Sequence, residues 1–189
     1  MQGPVGGADG FTHRLATEAD LPALDELVEA AIAGHLGDFL DPAQAALSRT
    51  IMGLDPQLIA DRTYFAVHDI ASGRIAGSGG CSRRGSYRAG GTSTPERDAA
   101  MAAMPADAAR VRAMYTHPDF KRRGLGRLIL ELCEEAAREA GFARVELMAT
   151  LAGEPLYRAC GYEEISRFVA ASQGGVDVPG IRMGKAIKV

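Results

Sequence analysis

The stretch that decides the fold runs from Thr116 to Gly141 and reads THPDFKRRGLGRLILELCEEAAREAG. Three basic residues and two glycines stand directly before a long run in which apolar residues recur every three to four positions. That spacing predicts an amphipathic helix packed on a sheet, with Gly141 in the position that commonly closes a helix. Because the amino end of a helix is already positive, a cluster of cations there predicts a negatively charged ligand.

The predicted helix divides into an apolar face and a charged face. The apolar face, expected to pack on the sheet, comprises Leu125, Leu128, Ile129, Leu132, Cys133, Ala136 and Ala140. The opposite face, expected in solvent, comprises Glu131, Glu134, Glu135, Arg138 and Glu139. This division concerns packing, so any chemistry is expected at the start of the helix.

The segment from Lys121 to Arg127 spans the predicted strand-to-helix turn and the first helical turn. Glycines let a ligand approach the backbone, and the free N–H groups at a helix start bind phosphate oxygens. A dinucleotide-binding fingerprint would need a third glycine where Ile129 stands, and the serine or threonine of a P-loop is also missing. A phosphate-binding loop and a basic surface loop with two turn glycines both remain open from this segment alone.

Composition narrows the class of protein. The 189 residues suffice for one domain, and a net charge of -3 gives no indication of general nucleic-acid binding. The cysteines Cys81, Cys133 and Cys160 are odd in number and lack C-x-x-C spacing, which indicates free thiols in a reducing compartment and predicts no metal. No apolar run is long enough to cross a membrane, and the glycine-rich start lacks the core of a signal peptide. We therefore expect a cytoplasmic protein without nucleic-acid or membrane partners.

Turn signals and hydrophobic periods predict a loose tail over residues 1–10 and a single domain over 11–189, interrupted by a long loop at about 83–109. The predicted order is strand, helix, helix, three strands, helix, strand, helix, strand, strand. The strands are expected within 11–16, 62–69, 74–82, 109–118, 143–150, 162–172 and 180–189. This order predicts an α/β fold with a mixed sheet, antiparallel early and late, around one central β-α-β unit.

The loop KRRGLG, preceded by YTHP, resembles the acetyl-CoA loop of the GNAT N-acetyltransferase superfamily, Q/R-x-x-G-x-G/A between a strand and an amphipathic helix. Lys121 departs from the usual Gln or Arg, which keeps the charge and loses the planar fork of donors. The segment EPLYRACGYEE (154–164) resembles the family element A-x-x-x-Y-x-x-x-G-F/Y, and IRMGKAIKV (181–189) resembles its closing strand. Many members carry Asn and Ala where this chain has Thr150 and Gly153. The resemblance covers the chain from about Phe11 to Val189.

The resemblance implies an acetyl-CoA-dependent N-acetyltransferase with a GNAT-like, mostly antiparallel sheet flanked by helices. It implies direct attack by an amine of a small molecule or peptide in a ternary complex, with Tyr157 as the general acid. The strand ending AMYT would splay from ARVELMAT, so that the pantetheine arm bonds to its backbone and an N–H of that strand stabilises the oxyanion. The residues implied in binding acetyl-CoA are Met114, Tyr115, Thr116, Lys121, Arg122, Arg123, Gly124, Leu125, Gly126 and Arg127.

The sequence offers several candidates for the general base and for the acceptor pocket. The strand ARVRAMYTHP contains no carboxylate, so Glu146, His117, Glu154 and ordered water all remain candidates for the base, with water as the default. The acceptor pocket is expected to involve the link GHLGDFLD (34–41) and the long loop. Candidate residues in that link are His35, Asp38 and Phe39.

Three hypotheses of function, from different classes of protein, remain open. The leading one is the N-acetyltransferase, and the second is a non-catalytic acyl-CoA-binding or sensory domain in which Tyr157 merely packs the short helix. The third is a nucleotide-binding module that uses KRRGLG for ATP. In each case the exposed edges of the last two strands leave a homodimer open.

Overall fold

The computed structural model describes residues 9–35, 39–83 and 108–187, without the side chain of His35. The predicted tail over 1–10 and the predicted loop over 83–109 therefore fall almost wholly outside the described residues. So does Asp38, and His35 is described only as the last residue of a helix.

The described chain follows the predicted order of strands and helices, with one addition. The strands are β1 Phe11–Leu15, β2 Tyr64–Asp69, β3 Ile75–Ser82, β4 Ala108–Thr116, β5 Arg144–Ala149, β6 Glu163–Gln173 and β7 Val176–Ala186. The helices are α1 Leu21–His35, α2 Pro42–Ile51, α3 Pro56–Ala60, α4 Leu125–Glu139 and α5 Glu154–Ala159. Helix α3 is absent from the prediction because its 5 residues are too few to show a helical period.

The sheet has seven strands in the order β1-β2-β3-β4-β5-β7-β6. Every neighbouring pair is antiparallel except β4 and β5, which are parallel because the chain crosses over through α4. The prediction of a mixed, mostly antiparallel sheet around one central β-α-β unit is confirmed. The ends of β4 and β5 and the start of α4 thus meet near the middle of the sheet.

Helix α4 packs on one face of the sheet through most of the predicted apolar residues, together with Leu130 and Ala137. The prediction that Glu134 lies in solvent is wrong. Only 7 % of this residue is exposed, and its carboxylate lies 2.8 and 3.0 Å from the Lys185 amine on β7. A strand far away in sequence supplies the cation that makes burial of this carboxylate tolerable.

The closeness of α4 to the sheet depends on missing side chains in β3. A Cβ at Gly79 would lie 2.5 Å from Ile129 Cγ2 of α4 and 2.9 Å from Met114 Cγ of β4. A Cβ at Gly77 would lie 3.0 Å from Ile129 Cδ1. These glycines let α4 lie directly on β3, and this contact fixes where the helix begins relative to the end of β4.

Candidate functional site

Strand β4 carries a bulge at Ala113 and Met114, two residues that face Gly79 alone on β3. Ala113 has φ 50, in the left-handed region that an alanine rarely adopts. The Tyr64 hydroxyl donates to the Ala113 carbonyl at 2.8 Å and lies 2.9 Å from Ser78 Oγ. This buried hydroxyl pair holds the bulge in a conformation that the strand alone would not keep.

The parallel pairing of β4 with β5 is short. It begins at Ala108 with Arg144 and reaches only as far as Arg110 with Glu146. Beyond this point β5 remains paired with β7, as far as Ala149. The register shows the predicted divergence of the two strands, which opens the sheet beside the bulge.

Tyr157 of α5 faces this opening. Its hydroxyl points at Met114 Sδ, 4.0 Å away, and its ring packs edge-on against Tyr162 with centroids 6.0 Å apart. Burial raises the pKa of Tyr157 above the ordinary value of 10.0. The phenol is therefore a neutral hydrogen-bond donor at physiological pH, placed next to the bulge.

Thr150 and Gly153, the two residues that differ from the usual family pattern, shape the surroundings of Tyr157. The Thr150 carbonyl accepts hydrogen bonds from the N–H groups of Gly153 and Glu154, each at 3.1 Å, and Thr150 Oγ1 accepts from Gly153 at 3.2 Å. Thr150 thus anchors the start of α5. A Cβ at Gly153 would lie 2.7 Å from Tyr157 Cε2, so the glycine leaves room for the phenol ring.

The loop before α4 has the backbone shape of an anion site. Arg122 has φ 63 and Gly124 has φ 83, both in the left-handed region. Such turns point successive N–H groups into a common concavity. Among the described residues, the N–H groups of 122–127 donate to no carbonyl of the chain, and α4 begins here with its positive end.

The basic side chains of this loop separate into two groups. The Lys121 amine donates to the Gly34 carbonyl at 2.8 Å, and Arg123 stacks 4.3 Å from the Phe11 ring centroid while lying 3.4 Å from Asp69. The second group consists of Arg122 and Arg127, whose side chains are exposed. Within the described part of the chain, neither has an ion-pair partner. The first pair braces the loop, and the second pair remains available to a ligand.

Three of the other residues predicted to bind acetyl-CoA have side chains or positions that serve packing and strand pairing. Leu125 is buried in the core below α4, and Thr116 pairs with Gly77 at the end of β4. A Cβ at Gly126 would lie 2.6 Å from Leu156 Cδ2, so this glycine also lets α5 pack against α4.

A cavity of about 180 Å³ lies beside the bulge. Among the described residues its wall consists of Ser48, 51–55, 111–115, 147–150, Tyr157, Phe168, Ala170 and 178–180. The link 34–41, where sequence placed the acceptor pocket, contributes none of these residues. Phe39 is instead 48 % exposed.

The segment after α2, which no sequence pattern indicated as part of a site, contacts polar side chains of β4 at the cavity. Asp55 lies 2.6 Å from Arg112 of β4, and it is the sole carboxylate among the described lining residues. The Tyr115 hydroxyl donates to the Gly53 carbonyl at 3.0 Å and accepts from the Gly53 N–H at 2.9 Å. Both contacts tie the segment to β4 across more than fifty residues of sequence, which is why no local pattern signals them.

The three side chains considered as general base are engaged elsewhere. Glu146 is buried against Arg182 at 2.8 Å. Glu154 pairs with arginines of α5 and β6 at the surface. His117 accepts a hydrogen bond from the Asp119 N–H at 3.1 Å, near the loop that precedes α4. None of the three lines the cavity.

Two kinds of feature are absent from the described residues. No helix there has both the length and the apolar character needed to cross a membrane. No group of three or more His, Cys, Asp or Glu side chains in the same ranges is arranged to hold a metal ion.

Comparison with known proteins agrees with this geometry. No curated protein sequence matches the chain. Solved structures with the same fold include a ribosomal-protein-alanine N-acetyltransferase from Brucella melitensis, with 19% identity, 93% and 99% of the two chains covered and TM-score 0.61. They also include a Thermoplasma acidophilum PaiA N-acetyltransferase in complex with coenzyme A, with 13% identity, 94% and 99% of the two chains covered and TM-score 0.62. A third is a Sinorhizobium meliloti phosphinothricin acetyltransferase in complex with acetyl-CoA, with 19% identity, 94% and 89% of the two chains covered and TM-score 0.60.

At these identities the structures show the fold, and a family model identifies the chain more closely. The model of the acetyltransferase (GNAT) family matches residues 26–162, which include the bulge, the loop and Tyr157. The chain therefore belongs to the GNAT family of acetyl-CoA-dependent acyltransferases.

Proposed function

We propose that this protein transfers the acetyl group of acetyl-CoA to an amine of a small molecule or peptide, by direct attack in a ternary complex. The observation that carries the proposal is the position of the Tyr157 hydroxyl, 4.0 Å from Met114 Sδ at the bulge where β4 and β5 part. A proton donor and a stretch of β4 backbone that pairs with β3 but not with β5 thus meet at one point. Thioester aminolysis needs both groups.

Acetyl-CoA fits the groups on this face of the sheet. The N–H groups of 122–127 and the positive end of α4 would bind the pyrophosphate, helped by the exposed side chains of Arg122 and Arg127. The pantetheine arm would bond to the backbone of Met114 and Thr116 like an added strand, in the space where β5 has diverged.

The chemical step follows from this placement. The neutral amine forms a bond to the thioester carbonyl carbon, and a backbone N–H of Met114 or Tyr115 stabilises the resulting oxyanion. The carbon–sulfur bond then breaks, Tyr157 donates its proton to the departing sulfur, and the proton of the amine passes to water. Water returns a proton to the Tyr157 phenolate, which restores the enzyme for the next turnover. Water is retained as the base, because none of Glu146, Glu154 and His117 is among the described residues of the cavity wall, and Asp55 there is bound to Arg112.

The exposed loop arginines give the first test of acetyl-CoA binding. We expect Arg122→Ala to raise the KM for acetyl-CoA about tenfold with little change in kcat, because a charge-assisted bond to phosphate contributes about 1.5 kcal/mol. The difference should shrink at high salt, since an exposed charge is screened. The matched control is Arg138→Ala on the last turn of α4, where the arginine pairs with Glu135. An equal rise of KM in both variants would contradict phosphate binding by Arg122.

Gly153 gives a test of Tyr157 that leaves the phenol in place. Gly153→Ala should lower kcat about tenfold to a hundredfold, because the new Cβ would lie 2.7 Å from the Tyr157 ring and push the hydroxyl away from Met114. The backbone at Gly153 has φ -84, which alanine adopts without strain. In a Tyr157→Phe background the added methyl should change kcat little, as a double-mutant cycle would measure. Additive losses in the cycle would show that the methyl acts elsewhere.

Initial-velocity measurements of thiol release test the proposal as a whole. We expect release from acetyl-CoA to depend on an added amine, with intersecting double-reciprocal lines for the two substrates, as a ternary complex requires. Parallel lines would indicate an acetyl-enzyme intermediate instead. Tight binding of acetyl-CoA without turnover of any amine would favour a sensory domain, and competition by ATP would favour a nucleotide-binding module.

A further inference from the structure

Among the described residues, the cavity wall contains one ion pair, between the buried Asp55 and the partly buried Arg112, whose function the transfer reaction does not explain. Arg112 of β4 donates from Nη1 to Asp55 Oδ2 at 2.6 Å, at the end of the cavity formed by the α2–α3 link. These two residues carry the formal charges of the described lining residues. An acceptor that enters beside Met114 must therefore meet this pair.

The geometry decides which member of the pair faces an acceptor. Asp55 Oδ1 accepts the Gln57 N–H at 3.0 Å and caps α3, while Oδ2 accepts from Arg112. The carboxylate is thus directed at its own helix and at the guanidinium. Its side chain is 5 % exposed, whereas that of Arg112 is 14 % exposed. The cation is the more accessible member, so the cavity offers a positive group with a fixed orientation.

The surrounding charges strengthen this polarity. Arg110 and Arg182 lie on the same face of the sheet as Arg112, and Glu146 is the carboxylate between them. Burial lowers the pKa of Arg110, and the positive charges of Arg112 and Arg182 lower it further, against the opposing effect of Glu146. Arg112 thus belongs to a cluster of arginines on one face of the sheet.

The size of the cavity limits the acceptor. The volume of about 180 Å³ is below the range typical of drug-sized ligands. Arg112 stands two positions before Met114 on β4, and both residues line this cavity. A group held by Arg112 and an amine presented at Met114 therefore belong within a few bonds of each other.

We infer that the acceptor is a small amine that carries a carboxylate a few bonds away, as an α-amino acid does, and that Arg112 binds this carboxylate. A guanidinium is the side chain best matched to a carboxylate, because its planar fork donates two parallel hydrogen bonds. Asp55 is then a positioning residue that fixes the guanidinium. The inference rests on the proposed N-acetyltransferase function and names its substrate class.

The test compares matched acceptors in the wild-type protein. Acetylation of the twenty L-amino acids is measured beside that of the corresponding L-amino acid amides and of the amines that lack the carboxyl group altogether. We expect kcat/KM for the best amino acid to exceed that of its amide at least tenfold. The amide has the less basic and more abundant free amine, so intrinsic reactivity works against the expected result.

Two variants then assign the preference to Arg112. Asp55→Asn keeps a good N-cap for α3 and, through its amide oxygen, an acceptor that can still orient Arg112, so we expect this variant to retain the preference for carboxylate over amide. The double variant Asp55→Asn with Arg112→Gln replaces the ion pair by a neutral polar pair, which avoids an unpaired buried charge. It should lose the preference through a raised KM for amino acids, with the KM for acetyl-CoA unchanged.

The outcomes separate this inference from the function on which it rests. Equal acetylation of amino acids and amides, lost in Tyr157→Phe, would leave the N-acetyltransferase intact and overturn the role of Arg112. A carboxylate preference that survives in the double variant would also overturn it. Failure to acetylate any amine, despite binding of acetyl-CoA, would overturn both.

Discussion

Tyr157→Phe lowers kcat by about 10²- to 10⁴-fold, the range expected when a general acid is removed, and changes the affinity for acetyl-CoA little. The phenol hydroxyl lies at the bulge, 4.0 Å from Met114 Sδ, whereas the phosphates would be held by the backbone and arginines of the loop at 122–127. The variant removes one oxygen from a ring that is otherwise retained. Steady-state kcat and the calorimetric Kd of acetyl-CoA, measured on the same preparation, check both parts.

Tyr162→Phe is the matched control because it removes the same atom from the neighbouring ring. Tyr162 packs edge-on against Tyr157 and is buried, and its hydroxyl makes no hydrogen bond to Met114. We expect this variant to keep most of the wild-type kcat. Equal losses in the two variants would identify a packing role for Tyr157 and remove the general acid from the mechanism.

The pH dependence of kcat provides the second readout of the same prediction. Burial raises the pKa of Tyr157 above 10.0, so the phenol keeps its proton as pH rises through the ordinary tyrosine range. Rising pH also deprotonates the acceptor amine. We therefore expect kcat to rise from neutral pH to a plateau, without a falling limb below pH 10. A falling limb near pH 8 that disappears in Tyr157→Phe would contradict the raised pKa.

Glu146→Ala destabilises the protein by about 3–5 kcal/mol, the usual cost of removing one partner from a buried ion pair. Glu146 is 0 % exposed, its Oε2 lies 2.8 Å from Arg182, and its Oε1 lies 3.2 Å from Arg144. Arg110 pairs with it in the parallel register. Without this carboxylate the buried arginines lose the charge that offsets their desolvation. Urea unfolding followed by circular dichroism measures the loss.

Glu164→Ala is the control for this variant. Glu164 also has two arginine partners, Arg158 at 2.8 Å and Arg167 at 2.9 Å, but these pairs lie at the surface. Solvent screens them, so we expect a small change in the urea midpoint. A loss in Glu146→Ala no larger than that in Glu164→Ala would show that burial does not set the strength of the cluster.

The parts of the site that sequence predicted are local. KRRGLG, the helix behind it and the spacing of Tyr157 to Gly161 lie within short segments, where period and turn chemistry determine the backbone. The β-α-β unit follows from the same segments, because a strand, a helix and a strand in succession have few ways to pack.

The parts that sequence did not predict depend on contacts across the fold. Asp55 reaches Arg112 over 57 positions and Glu134 reaches Lys185 over 51, so no periodic pattern connects the partners. The helical period placed Glu134 on the charged face of α4. It could not reveal that β7 brings a lysine to that face and buries the carboxylate. Likewise the left-handed backbone of Arg122 is set by the loop as a whole, since arginine itself does not favour it.

The most direct test of the account is mass spectrometry of a pooled set of amines incubated with the protein and isotopically labelled acetyl-CoA. The pool contains amino acids, their amides, polyamines, aminoglycosides and short peptides. The account predicts the labelled acetyl group in an amide bond on one class of amine, formed by the wild-type protein and nearly absent with Tyr157→Phe. A protein that binds labelled acetyl-CoA yet leaves every amine unlabelled, or that labels amines equally well without the Tyr157 hydroxyl, would contradict it.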